Sequence, residues 1–344
     1  MSELSLAAAA PLAENRLYYL DGWRGWAVTL VLLGHFLSIP GINFGTFGVE
    51  LFFVLSGRLM AEILFIRKVP LRTFFPRRIN RVYPALLAFV LVLFALTQFS
   101  DWRIGPKAVL GSLTFISNYS IWIPGLYRHG FVDHLWSLCV EEHAYVILAL
   151  VVLLARAFRL SPLPMVLMIS AIGFINGILS MSIFQLDYFE TYWRTDVHIA
   201  SISVSAAVYL WLARKPSVVL PWVSPMAFAA GLLLSANIFP PPLTYSLGTI
   251  CLAVSVCTID RSYEWFRRLF DNSIAMIIGM YSYSIYLWQQ PFYQLHHAGE
   301  LSMLFSLAAT AAFAFGSFHL VEQPARVFLN GKFTASGRQA VLGN

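Results

Sequence analysis

The chain has 344 residues, 58% of them hydrophobic and 12% charged, with a formal net charge of +6 and a mean hydropathy of +0.70. Soluble domains carry about 25% charged residues, so this composition excludes a soluble globular protein. The small positive excess carries no basic surface of the size that nucleic acid demands, and no nucleic-acid partner is expected.

What remains is an all-α, polytopic membrane protein. The opening "MSELSLAAAAPLAENR" has no basic stretch ahead of its apolar run, which Pro11 and Glu14 interrupt. It is a poor signal peptide, and residues 1–22 read as a cytoplasmic tail. Stretches able to cross a hydrocarbon core about 30 Å thick lie near 24–40, 46–66, 82–99, 107–123, 135–155, 163–183, 197–213, 217–238, 243–259, 273–294 and 301–321. Lys and Arg concentrate on the cytoplasmic side of membrane proteins. The basic loops here hold Arg67, Lys68, Arg72, Arg77, Arg78 and Arg81, then Arg156 and Arg159, Arg214 and Lys215, and Arg261, Arg267 and Arg268. Arg326, Lys332 and Arg338 follow the last stretch. All of these fall on one side only if the weak candidate at 107–123, with Gly111, Ser112, Ser117 and Asn118, does not cross. The expected architecture is therefore about ten transmembrane helices, both termini cytoplasmic, with a membrane domain at 23–322 and a cytoplasmic tail at 323–344.

Polar residues interrupt these spans in chain order. In "LDGWRGWAVTLVLLGHF", Arg24 and His35 are eleven residues apart, which places them on nearly the same helix face about 16 Å apart. Asp21 precedes Arg24 at a spacing that allows an ion pair. An ionisable residue at the depth of His35 faces either a packed interior or a functional site. "FGVELFFVLSGRLM" adds Glu50 near the outer end and Arg58 about two turns further in. In "FPRRINRVYP", Arg77, Arg78 and Arg81 lie close to one helical face. They read either as an orientation signal that also holds anionic headgroups or as a phosphate clamp.

"HLWSLCVEEHAYVI" sets the adjacent Glu141 and Glu142 in an apolar helix behind Trp136 and Ser137. Two such carboxylates do not both ionise cheaply in low dielectric, so a proton or a cation partner is expected. Neighbours in sequence point about 100° apart, so one of the two is expected to face the interior. The spacing of His134, Glu141 and His143 matches no metal motif. Cys139, Cys251 and Cys257 fall in apolar stretches and read as small buried hydrophobes. "YSYSIYLWQQP" places Ser282, Ser284 and two glutamines in an aromatic helix.

In this order, "LDGWRGWAVTLVLLGHF", "FGVELFFVLSGRLM", "RRINRVYPALL", "HLWSLCVEEHAYVI" and "YSYSIYLWQQPF" resemble the acyltransferase 3 family of integral membrane O-acyltransferases. "YFETYWRTDVHIASISVSA" adds a weaker sixth match. The resemblance implies transfer of an acyl group, most often acetyl, from cytosolic acyl-CoA to a hydroxyl of a carbohydrate or glycolipid, in a bacterial cytoplasmic (inner) membrane. It implies acetyl-CoA as co-substrate and no metal. His35 matches the family's essential histidine, Arg24 its partner arginine, Arg77, Arg78 and Arg81 the basic motif of donor handling, and Glu141 and Glu142 the paired acids. Glu50, Arg58, Trp136 and Ser137 are candidates for contacting the acceptor. The chain departs from the pattern at Arg58, at Ala144 in place of a common Phe, and at Gln289 where a His often follows Leu-Trp. No esterase-like extracytoplasmic domain is seen, so transfer is expected to finish in the membrane domain or through a separate protein.

Thioester-to-alcohol transfer needs a base for the hydroxyl proton and donors for the oxyanion. Imidazole suits the base role near neutral pH, with Glu141 or Glu142 orienting it or balancing its charge and Arg24 a candidate for positioning or charge stabilisation. His35 carrying the acyl group covalently is the second mechanism. The rival from another class is a proton-coupled transporter or flippase in which His35 and the glutamates form a relay.

Overall fold

A computed structural model describes residues 18–37, 39–123, 129–215 and 219–331. Residues 1–17 and 332–344, hence most of both expected tails, lie outside the described residues. Regular structure among the described residues is helical, with a single isolated bridge between Ile42 and Ala236. The long helices are α1 (Tyr18–Phe36), α2 (Phe44–Met60, continued by the π-helical turn Ala61–Ile66) and α3 (Leu71–Thr97). A short α4 (Pro106–Leu113) precedes α5 (Trp136–Ala157) and α6 (Pro162–Ser182). After α7 (Tyr188–Tyr192) come α8 (Thr195–Arg214) and α9 (Val223–Leu234). A turn α10 (Pro241–Leu243) and a π-helical segment lead into α11 (Thr249–Thr258), then α12 (Glu264–Phe270), α13 (Ser273–His297) and α14 (Met303–Ser317).

Among the described residues, six helical stretches are long and apolar enough to cross a membrane: Leu71–Thr97, Asp133–Ala157, Pro162–Ser182, Thr195–Arg214, Pro241–Arg261 and Met303–Gly331. The helices α1, α2 and α13 are not among them. Asp21, Arg24 and His35 dilute the hydropathy of α1, and the Ser and Gln residues dilute that of α13. Boundaries also differ from expectation. The third helix starts at Leu71 rather than near 82, because Arg72, Arg77, Arg78 and Arg81 sit on the helix itself. The weak 107–123 stretch is broken after Leu113, the 217–238 stretch condenses to the 12 residues of α9, and helix continues past 322 to Gly331.

The centre is α8, whose apolar window is 72% buried against 22% for the last helix. Its small residues Ala200, Ser201, Ser203 and Ala206 admit close neighbours, the usual way that helices associate in lipid, and all four are fully buried. The Ser203 hydroxyl is partnered there: it donates to the Ile199 carbonyl at 2.6 Å, and Ser170 of α6 donates to it at 3.0 Å.

Two helices that carry site residues, α1 and α13, run side by side in the same direction. A Cβ on Gly25 would sit 2.0 Å from the Ala275 carbonyl oxygen, and one on Gly279 would sit 1.8 Å from that of Asp21. Glycine at both places lets the backbones touch. Three apolar clusters surround this pair: one on α2, α5 and α8 around Phe53, Tyr145 and Ile202, one on α1, α2 and α11 around Trp23 and Phe47, and one on α3, α5 and α13 around Phe89 and Leu287.

Candidate functional site

From the Gly25–Gly279 contact, ten residues along each helix (25 to 35, 279 to 289) is a rise of about 15 Å, and it brings His35 against Gln289. The His35 Nδ1 lies 2.7 Å from Gln289 Oε1. Tyr293, one turn further along α13, stacks on the imidazole with centroids 4.5 Å apart. Gly45, at the start of α2, faces the other edge: a Cβ there would lie 3.8 Å from Nε2.

Below His35, α1, α2, α3, α5 and α13 enclose a cavity of about 720 Å³, mouth included. Arg24, Arg78 and Arg81 reach it from α1 and α3, Ser56 from α2, Glu141 and Ser137 from α5, and Tyr286 from α13. Three guanidinium groups thus converge on one cavity, and guanidinium is a group whose planar fork suits carboxylate and phosphate oxygens. The three are not equivalent. Arg78 donates from Nη2 to Glu141 Oε2 at 2.9 Å and from Nε to Glu142 Oε1 at 3.0 Å. It also donates to the Tyr145 hydroxyl at 2.7 Å. Glu141 takes a further hydrogen bond from Ser56 at 2.8 Å and one from Tyr145 at 2.9 Å. Arg24 pairs with Asp21 at 3.2 Å. Arg81, part-buried on the wall, makes no hydrogen bond or ion pair to any described residue, and Glu322 and Glu142 are acids whose charges reach it.

Several sequence expectations change in this light. Glu141 and Glu142 are brought to Arg78 and not to His35. Both carboxylates face the interior because the planar fork of one guanidinium spans the angle between them. Arg77, on the far side of α3, is exposed and absent from the cavity wall. Ser137 lines the cavity and donates to Tyr286 at 2.7 Å, since Tyr286 itself donates to the His134 carbonyl. The other acceptor candidates are committed to packing. Glu50 accepts from His198 at 2.6 Å, Tyr192 at 3.1 Å and Thr249 at 3.0 Å, tying α2 to α8 and α11. Arg58 is 1% exposed and pairs with Asp260 at 2.6 Å. Trp136 packs among Phe53, Tyr192, Trp193 and His198.

Tyr145, Ser56 and Gln289 are the site residues that sequence reasoning left without a role. Tyr145 had a signal, its i+4 spacing from Glu141 on one helix face. Ser56 and Gln289 had none, because their partners lie 85 and 254 residues away. Among the described residues no group of three or more His, Cys, Asp or Glu side chains could hold a metal ion.

Comparison with known proteins adds the following. Residues 17–318 match a family of acyltransferase domains, Acyl_transf_3. Peptidoglycan O-acetyltransferase OatA of Listeria monocytogenes is 24% identical over 344 aligned residues, covering 89% of this chain and 55% of that protein. O-acetyltransferase OatA of Staphylococcus aureus is 24% identical over 343, covering 89% of this chain and 57% of its own length. The chain thus spans little more than half the length of these relatives. No solved structure matches it.

Proposed function

Because this chain belongs to the acyltransferase 3 family, we propose that it is a membrane-embedded O-acyltransferase that moves an acyl group, acetyl in the first instance, from cytosolic acyl-CoA to a carbohydrate hydroxyl. The observation that carries the reading is the arginine-walled cavity, in which Arg81 stands next to Arg24 with no hydrogen bond or ion pair to any described residue. The relatives' names, O-acetyltransferase in both cases and peptidoglycan in one, favour acetyl and a glycan. About ten crossings of a bacterial cytoplasmic membrane, with both termini inside, put Arg24, Arg78 and Arg81 nearer the cytosol and His35 nearer the outer face.

In this reading Arg81 and Arg24 hold the phosphates of coenzyme A. Arg78 is the fixed wall charge that neutralises Glu141 and Glu142. The acyl-pantetheine arm then extends along α13 past Ser137 and Tyr286 toward His35. His35 takes the proton of the acceptor hydroxyl as its oxygen bonds the thioester carbon. The tetrahedral intermediate collapses by breaking the C–S bond, and the proton on His35 neutralises the departing thiolate. The cation set holds the donor while the neutral imidazole takes and returns one proton, so no net charge is created deep in the bilayer.

The test is direct. Purified protein is expected to bind acetyl-CoA at least tenfold more tightly than an acetyl thioester of phosphate-free pantetheine, each bound phosphate contributing about 1.5–3 kcal/mol. With a carbohydrate hydroxyl acceptor supplied, it is also expected to release free thiol from acetyl-CoA as the acetyl group passes to that hydroxyl, and His35→Ala to stop that release while binding persists. Equal affinity for the two thioesters overturns the donor assignment. Undiminished turnover by His35→Ala overturns the base.

A further inference from the structure

The partner of His35 is an amide, and an amide has two faces. Gln289 can accept from a ring N–H through Oε1 or donate to a ring lone pair through Nε2, and the two choices leave the imidazole in opposite tautomers. Which face is presented follows from the next hydrogen bonds along the chain. Gln289 Nε2 lies 3.3 Å from Gln290 Oε1, and Gln290 Nε2 lies 2.9 Å from the carbonyl oxygen of Gly130. A backbone carbonyl only accepts. Gln290 must therefore give Gly130 its NH₂, which turns its oxygen to Gln289. Gln289 must give that oxygen its own NH₂, which turns its oxygen to His35. Reversing the series would set the Gln290 oxygen against the Gly130 oxygen at the same 2.9 Å, with no proton between them. Gln289 is 0% exposed and Gln290 6%, so water has little access to substitute for a missing partner.

The end of the series is held from outside the bundle. The backbone N–H of His129 donates to Asp133 at 2.8 Å. Phe131 stacks on Trp102 with centroids 4.8 Å apart, and Trp102 donates to Glu300 at 2.9 Å. Two consecutive glutamines on a helix point in different directions, so a series running through both needs one receiver on the helix α1 and another on the loop before α5. That is the arrangement here.

We propose that Gln289 and Gln290 are positioning residues that lock His35 in its Nδ1–H tautomer, with the carbonyl of Gly130 as the fixed terminus, so that Nε2 holds the lone pair on the edge facing Gly45. Among the described residues Nε2 has no hydrogen-bond partner, which leaves it free for a hydroxyl. A carboxylate in place of Gln289 would set the same tautomer but would add a charge and raise the basicity of the ring. The amide fixes the proton without adding a charge. The proposal deepens the reading of His35 as the base and rests on it for its catalytic meaning.

The experiment reads the tautomer independently of turnover. Protein labelled with ¹⁵N-histidine is reconstituted in lipid, and the His35 signals are identified by their loss in His35→Ala. The wild type is expected to show a protonated Nδ1 and a bare Nε2 at neutral pH. Gln289→Met, which keeps the length and removes the acceptor, is expected to mix or reverse the tautomers, and Gln290→Met to do so partly. Thiol release from acetyl-CoA is expected to fall about 10- to 100-fold in kcat for Gln289→Met, with KM for acetyl-CoA within about twofold. Gln289→Glu is expected to recover most of the loss. A protonated Nε2 in the wild type, or a tautomer that Gln289→Met leaves unchanged, overturns the lock. A tautomer that moves while turnover does not leaves the lock standing and overturns the base assignment of His35.

Discussion

Arg78 and Arg81 are one helical turn apart on α3, yet their side chains face different demands. Arg78 is committed on one edge: two carboxylates and a tyrosine hydroxyl take the N–H groups of its Nε and Nη2, and its guanidinium carbon lies 4.1 Å from the centre of the Tyr145 ring. Arg81 reaches the same cavity with no acceptor among the described residues. Substitution should separate them. Arg81→Lys keeps the charge and loses the fork, so acetyl-CoA binding is expected to weaken about 10- to 100-fold with Tm unchanged, as titration and thermal melting of the detergent-solubilised protein would read. Arg78→Ala strips both glutamates of their cation. Breaking a buried pair from one side costs about 3–5 kcal/mol, so Tm itself should fall. If both variants altered binding alone, the division of labour between the two arginines would be wrong.

Among the helices, the parallel pair α1–α13 sets the register that joins His35 to Gln289. Its contact depends on hydrogen atoms where other residues carry Cβ. Gly279→Val would drive methyl groups into the Asp21 carbonyl, which already lies 1.8 Å from where a Cβ would be. Overpacking of this kind costs about 1–3 kcal/mol, and backbone offers no side chain to swing aside. The expected result is a lower Tm together with loss of thiol release, because separating the helices pulls Gln289 from His35. Gly316, on α14 with open space around it, is the control: Gly316→Ala should change neither. A Gly279→Val protein with wild-type Tm would show that the two helices have slack.

For the whole molecule, the charges at the helix ends carry the topology. Arg156 and Arg159 at the end of α5, Arg214 and Lys215 at the end of α8, and Arg267 and Arg268 in α12 are all exposed. With ten crossings they share the side on which α3 begins. A reporter fused after Leu160 or Lys215 is expected to read cytoplasmic, and one at Pro241 external. A cytoplasmic reading at Pro241 would break the ten-crossing arrangement and reverse the side from which the arginine cavity opens. The lipid-facing exterior fits this placement: Leu91, Leu96, Leu150, Leu167, Ile172 and Phe305 are exposed side chains on the long helices, a surface that water would not tolerate at this extent.

The amino-acid sequence by itself determined that the chain is helical, that it belongs in a membrane, and which ionisable residues stand where lipid would otherwise be. Those properties depend on composition and on spacings of a few residues, and helix formation in lipid follows from local backbone hydrogen bonding. The Asp21–Arg24 pair was legible for the same reason. Tertiary structure alone decided the partners. The bonds of Arg78 to Glu142, Glu50 to His198 and His35 to Gln289 join residues 64, 148 and 254 positions apart, and no local period specifies which helices will touch. So Glu50 and Arg58, readable from sequence as polar groups near a substrate, are cross-braces between helices, and Gln289, which reads as a departure from the family pattern, holds the histidine. A buried polar side chain must find a partner within about 3 Å, and where that partner lies is settled only when the helices pack.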